Sequence, residues 1–350
     1  MSMYRRRLMI ANALKSSDGN INYPGLIAAW SAKGKSNDDA DRAILKDLTG
    51  NGHDITLNGF AFSEMSGYGG YNVKHNFTYT SNNRCDKIER LGYKLTFINI
   101  KENYNLLFAF PNEIYSSIGC KIKVYVKGIP NGGELYFGEN KWIYANKDGI
   151  YEGNVAANNN GNVSIASLNC IGSTISVEFL PKYPDALVFD GVNDYGFCTN
   201  IPLLEDYTII AKRKDCSGGC LFTKGANTNG AFILEGYGFV SNTYNYGQGQ
   251  NKNLLLNNTI TWQNKNSYNQ QNLIVGDKSD NTNRITIGAL NGIDPRYLKG
   301  AFYSAYLFNR SLDEQEIKAF IRKYIDPEYL LPSEILTPDC YYDFSQGSND

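Results

Sequence analysis

Oxygen donors crowd one stretch near the start of the chain. Asp38, Asp39 and Asp41 are followed by Asp47, Asn51 and Asp54, hard ligands of the kind that coordinate Ca²⁺. The competing reading, and the preferred one, is that these side chains end strands and shape turns, because Asp and Asn bond readily to nearby backbone. Asp190 and Asp194 carry the same two readings. No other cofactor is implied. A second kind of chemistry runs through SNTYNYGQGQNKN and its surroundings, where Tyr237, Tyr244, Tyr246, Trp262 and Tyr268 stand among Asn and Gln. Aromatic faces stack on sugar rings and amides satisfy sugar hydroxyls, so these five are glycan-contact candidates. An exposed hairpin, or a subunit contact in a homotrimer, uses the same residue types equally well.

Catalytic chemistry has little to work with. There are two histidines, His53 and His75, with no nucleophile motif beside either, and no GxSxG, HExxH or phosphate-binding glycine loop. A pair of carboxylates brought together from separate strands stays open as a glycosidase arrangement. Asp and Glu nevertheless fall mostly in turns and caps, so the expectation is a protein that is not an enzyme. The seven cysteines are odd in number, and Cys216 and Cys220 are the one close pair. Together with two histidines they give no zinc-ligand spacing. Free buried thiols, and folding in a reducing cytosol, are the expectation for most of them.

Those groups need a scaffold, and composition describes it. The 350 residues exceed one ordinary core and imply about two domains. Net charge is −1, so no overall basic field gathers phosphates and nucleic acid is not an expected partner. The 26 tyrosines, with Asn, Gly and Ser between short apolar runs, have the texture of an all-β chain rich in turns. Arg5, Arg6 and Arg7 followed by Leu8, Met9 and Ile10 read as an anchor for an acidic groove or as a basic tail. The apolar stretch there is too short for a signal-peptide core, and no run approaches a membrane span.

Strand signals fall into two styles. GLIAAWS and DITLNGFAF flank an Asp-rich loop in which Gly50, Asn51 and Gly52 mark a tight turn. Eight short runs follow, from YKLTFINI at Tyr93 to STISVEFL at Ser173, with alternation clearest in KIKVYV and ISVEFL. They predict a small sandwich of about 110 residues. The first style then returns in ALVFDGVNDYGFC, YTIIAKRK, GCLFTKG, AFILEG, NLIVGD, RITIGAL and KGAFYSAYLFNR. SLDEQEIKAFIRKYI predicts one helix, N-capped by Ser311 with Glu314 three residues on, and with Ile317, Phe320, Ile321 and Tyr324 on one face. The ending YYDFSQGSND echoes AAWSAKGKSND near the start. A repeat of that kind implies one full unit of a longer modular chain.

Three blocks carry a resemblance. Asp47-Leu48-Thr49-Gly50-Asn51-Gly52, Phe189-Asp190-Gly191-Val192-Asn193-Asp194-Tyr195 and Phe308-Asn309-Arg310-Ser311-Leu312 resemble the concanavalin A-like (laminin-G-like) lectin fold, with an insertion of roughly 110 residues between the first and second. The fold implied is all-β: a concanavalin A-like jelly-roll sandwich interrupted by a second small β-sandwich, with one short C-terminal helix. The implied boundaries are an anchor segment at 1–24, the lectin-like sandwich at 25–72 plus 184–326, the inserted sandwich at 73–183, and a linker with the start of a further repeat at 327–350.

The basic opening, the interrupted module and the truncated repeat together resemble virion fibre proteins of crAss-like gut phages. That resemblance implies a head or tail fibre made in the host cytoplasm and carried on the virion. Arg5, Arg6, Arg7, Leu8 and Ile10 would anchor it to capsid, neck or tail proteins. Its modules would attach to a host surface glycan, as a homo-oligomer such as a trimer, without nucleic acid and without membrane insertion. The alternative is a bacterial cell-surface glycan-binding protein or an accessory module of a polysaccharide-degrading enzyme.

Overall fold

The computed structural model describes residues 21–73, 84–102, 105–111, 120–138, 143–155, 162–202, 207–217, 219–224, 232–235, 243–245, 251–256, 259–264, 284–289, 297–310 and 312–327. Strands β1 (Leu26–Ser31), β2 (Ile44–Leu45), β3 (Ile55–Asn58) and β4 (Gly67–Tyr68) come first. The middle of the chain forms β5 (Cys85–Leu91), β6 (Lys94–Ile100), β7 (Asn105–Pro111), β8 (Cys120–Lys127) and β9 (Glu134–Phe137). It continues with β10 (Ile143–Ala145), β11 (Gly149–Val155), β12 (Asn162–Leu168) and β13 (Ile175–Phe179). Then come β14 (Leu187–Asp190), β15 (Tyr195–Cys198), β16 (Tyr207–Ser217), β17 (Cys220–Lys224) and β18 (Phe232–Glu235). Strands β19 (Thr243–Asn245), β20 (Asn251–Leu256), β21 (Thr259–Asn264), β22 (Ile285–Ile287) and β23 (Lys299–Phe308) precede helix α1 (Glu314–Tyr324).

The protein is all-β, and among the described residues these strands make four antiparallel sheets. One seven-stranded sheet runs β20-β21-β16-β23-β14-β4, with β1 also on β23, and a second runs β19-β18-β17-β22-β15-β3-β2. Both draw on the two outer parts of the chain. Between them lie Trp30, Leu45, Ile55, Leu57, Phe189, Phe222, Ile287 and Phe302, all buried in one apolar core. The middle of the chain builds its own pair, β10-β9-β12-β7 against β11-β8-β13-β6-β5. Alternation explains this second core. In β8, Ile122, Val124 and Val126 point inward while Lys121 and Lys123 point out, and in β13 Ile175, Val177 and Phe179 do the same.

The first strand of the inserted pair, CDKIERL, is absent from the eight runs of the sequence reading. Cys85 is its one buried side chain. Among the described residues it lies at the edge of its sheet, paired with β6 alone. Charged side chains along an edge discourage pairing with another molecule, and they also erase the apolar alternation that marks a strand.

Strand β1 reads as a continuous apolar run because both of its faces are covered. Ala28 and Trp30 enter the inter-sheet core, while Leu26 and Ala29 pack under helix α1 with Ile210, Tyr306 and Phe308. The helix buries Ile317, Phe320 and Ile321 there, with Tyr324 partly buried, as its periodicity predicts. Its start departs from the sequence reading. The N-cap is Asp313 rather than Ser311, and the capping box closes with Glu316 rather than Glu314. The reason is Arg310, whose guanidinium grips Glu316 through two hydrogen bonds of 3.0 and 2.6 Å and also donates to the Pro24 carbonyl at 3.1 Å. Holding Glu316 in that position fixes the register of the first turn. Replacing Asp313 with Ala is expected to cost about 1 kcal/mol in urea unfolding. A variant as stable as the parent would show that the cap adds nothing to the helix.

Candidate functional site

The motif loops are where the chain concentrates buried polar groups. Asp47, 9% exposed, accepts hydrogen bonds from the backbone N–H of Ala29 at 3.1 Å, of Thr49 at 3.0 Å and of His53 at 3.1 Å. The Thr49 hydroxyl donates to the same carboxylate at 2.8 Å. Trp30 Nε1 donates to the His53 carbonyl at 2.6 Å, and the Asn51 amide to the Ile27 carbonyl at 2.9 Å. The turn relies on Gly50 and Gly52, both in the left-handed region. One carboxylate therefore pins the Gly-Asn-Gly turn to β1, and Asp47 and Asn51 are turn-builders.

The second block behaves alike. Asp194 is 0% exposed and accepts from the Ser66 hydroxyl at 2.9 Å and from the Asp190 N–H at 3.0 Å. Burial, reinforced by the neighbouring Asp190 charge, pushes its carboxyl up to about 7 against the pull of those two donors. Asp190 itself accepts from the Val192 N–H at 2.7 Å, closing the turn. Gly59 lies against that turn so closely that a Cβ would fall 2.1 Å from the Asn193 carbonyl oxygen. Asp194 thus joins the segment after β3 to the β14–β15 turn.

Of the weaker metal candidates, Asp41 forms an ion pair with Lys35 at 2.7 Å, which holds its carboxyl below the usual range. Asp39 accepts from the Ser36 N–H at 2.8 Å, and the Asp38 N–H donates to the Ser36 hydroxyl at 3.2 Å. Among the described residues no three His, Cys, Asp or Glu side chains come together as a metal site. The glycan-contact candidates are divided. Tyr244 stands on β19 opposite Ile233, in one large sheet, and Trp262 on β21 between Asn253 and Ile209, in the other. Tyr237, Tyr246 and Tyr268 lie outside the described residues, as do the anchor candidates Arg5, Arg6, Arg7, Leu8 and Ile10, and His75. Cys85, Cys170 and Cys216 are free thiols and buried, and Cys198 and Cys220 are buried as well. Burial pushes the Cys85, Cys170 and Cys216 thiols up, which makes them poor nucleophiles.

Sequence reasoning missed a cleft altogether. Where the two sandwiches meet there is an open cleft of about 320 Å³. Its walls come from the loop after β1, the segment after β4, the β5–β6 turn and the end of β13. Tyr71 and Tyr93 stack face to face at 3.5 Å and 7°. The Tyr93 hydroxyl accepts from the Glu64 N–H at 3.2 Å. Burial pushes the Tyr71 phenol up to about 12. A cleft assembled from four separated segments leaves no local motif, and Tyr71 and Tyr93 have no spacing that distinguishes them from the other tyrosines.

Fold and motif loops together define an all-β, multi-sheet sandwich protein whose motif carboxylates hold the frame. No family model matches the chain, and no curated protein matches it. Among solved structures, the Trypanosoma rangeli sialidase in complex with the inhibitor DANA is similar at a TM-score of 0.24 and 11% identity, over 79% of this chain and 67% of that one. A likeness of that size carries no argument about fold or function.

Proposed function

We propose that the protein is a non-enzymatic virion fibre protein, carried on the head or tail of a phage by its N-terminus and presenting its sandwiches to host surface glycans. The observation that carries the reading is how the acidic groups are used. Asp47 and Asp194, the two buried carboxylates of the motif loops, are both committed to hydrogen bonds that tie one strand segment to another. Such groups stiffen a scaffold rather than move protons for a substrate. What the scaffold offers to the outside is an aromatic and polar cleft between two cored modules, the surface chemistry of a binder. The three motif blocks that resemble lectin-like domains, and the basic opening that resembles a virion anchor, give the reading its direction. Imaging purified phage particles with antibody against this chain tests it. Label on the particle supports the fibre, whereas label on bacterial cells with bare particles overturns it in favour of a cell-surface glycan-binding protein.

A further inference from the structure

The cleft between the sandwiches has a charge pattern as well as a shape. The loop after β1 brings Lys35, Ser36 and Asp38 to one wall, and β6 and β13 bring Lys94 and Glu178 to the other. Those last two are directly opposite in the strand register. Asp185 also lines the cleft, and its carboxylate accepts from the Gly34 N–H at 3.2 Å. Lys35 is already held by Asp41. Three lining carboxylates, those of Asp38, Glu178 and Asp185, therefore stand against two lining ammonium groups, of which Lys35 is already paired outside the lining, and the charge balance of the walls is negative.

The walls are also fixed in advance. The Asn37 side chain, 8% exposed, bonds both to the N–H and to the carbonyl of Tyr68, at 2.7 and 3.1 Å. The Tyr71–Tyr93 stack forms a rigid aromatic side, and Leu91, 82% exposed, adds apolar surface at the hairpin tip. A pre-formed site loses little entropy on binding a small ring.

We propose that this cleft is a saccharide subsite that takes one neutral or amino-bearing sugar ring. The proposal rests on the glycan-attachment reading and adds to it the place and the class of sugar. Carboxylate and ammonium groups on opposing walls bond ring hydroxyls, and the tyrosine stack with Leu91 packs the C–H face. The negative field rejects uronates and phosphosugars. Both sandwiches supply walls, so the subsite exists because the second module is inserted where it is.

The test is saturation-transfer NMR on the full chain with methyl glucoside, methyl galactoside, N-acetylglucosamine, glucosamine and glucuronate as probes. Transfer to at least one neutral or amino sugar and none to glucuronate is expected. A double variant, Asp38→Asn with Glu178→Gln, is expected to weaken that binding at least tenfold with an unchanged melting curve. Trp262→Ala is expected to leave it intact. Full binding in the double variant, a preference for glucuronate, or loss of binding in Trp262→Ala alone would overturn the cleft while leaving glycan attachment standing. Binding of none of the five probes by the wild-type chain would overturn the cleft, and glycan attachment would then be judged on whole host polysaccharide.

Discussion

Replacing Asp47 with Ala is expected to destabilise the large sandwich by about 4 kcal/mol, because buried donors left without a partner cost about 1–3 kcal/mol each. Three backbone N–H groups and one hydroxyl, from Ala29, Thr49 and His53, converge on this carboxylate. The Thr49 hydroxyl can turn to the Ile27 carbonyl at 3.3 Å, and the three backbone N–H groups bear the main loss. The damage reaches further than the turn. The Trp30 indole N–H is bonded to the His53 carbonyl, and the Trp30 ring stacks near Phe222 in the core. Urea unfolding followed by tryptophan fluorescence reads the change as a lower midpoint. Asp41→Ala is the control, since that carboxylate is exposed and paired with one lysine. Surface pairs of that kind contribute little, so its midpoint stays with the wild type. Equal midpoints for the two variants would contradict the assignment of Asp47 as the tie between β1 and its neighbouring turn.

The second large effect is on pH. The Asp194 carboxyl is raised in the fold to about 7 from an ordinary value of 3.8. A folded-state value above the unfolded one means that the native protein holds this proton where the unfolded chain has lost it. Its contribution is therefore fully present below about pH 4, declines as pH rises through 7, and is absent above that. A rise from 3.8 to about 7 corresponds to roughly 4 kcal/mol, since each tenfold change in proton affinity is about 1.36 kcal/mol. Asp54 and Glu316 act in the opposite sense: their pairing with Lys46 and Arg310 lowers their carboxyls, so their contribution is lost only in stronger acid. The difference between wild type and Asp194→Asn isolates the one group. Asn accepts from the Asp190 N–H through its oxygen and donates to Ser66 through its amide, so the network survives. The wild type is expected to lose stability between pH 4 and 7 relative to the variant. Parallel melting curves across that range would show that Asp194 is ionised in the fold.

The all-β architecture was legible because alternation and turn chemistry are local. KIKVYV and ISVEFL place every second residue in a core, and the Gly50–Gly52 turn lies between β2 and β3. Helix α1 was legible by its face but not by its cap, since Arg310 reaches Glu316 across the turn and outbids a local Ser signal. The turn-building role of the motif carboxylates was legible, but not the distant segments that they tie together. Asp47 and Asn51 fit calcium ligands or turn-builders in sequence, with turn-building preferred, and only the fold shows the N–H of Ala29 on β1 directed at Asp47 along with those of its own turn. Asp190 and Asp194 are turn-formers as read, yet the partner of Asp194, Ser66, lies 128 residues away. The cleft was not legible at all. Its walls are brought together by the docking of one sandwich on another, and nothing in the local pattern around Tyr71, Tyr93 or Glu178 records that contact.

The measurement closest to the central claim is cryo-electron microscopy of purified phage particles bearing labelled antibody against this chain. The fibre reading predicts label at a fixed symmetric position on head, neck or tail, with the residues around Arg5 to Ile10 buried against a neighbouring virion protein and the sandwiches outward. Particles without label, alongside labelled bacterial surfaces, would contradict it.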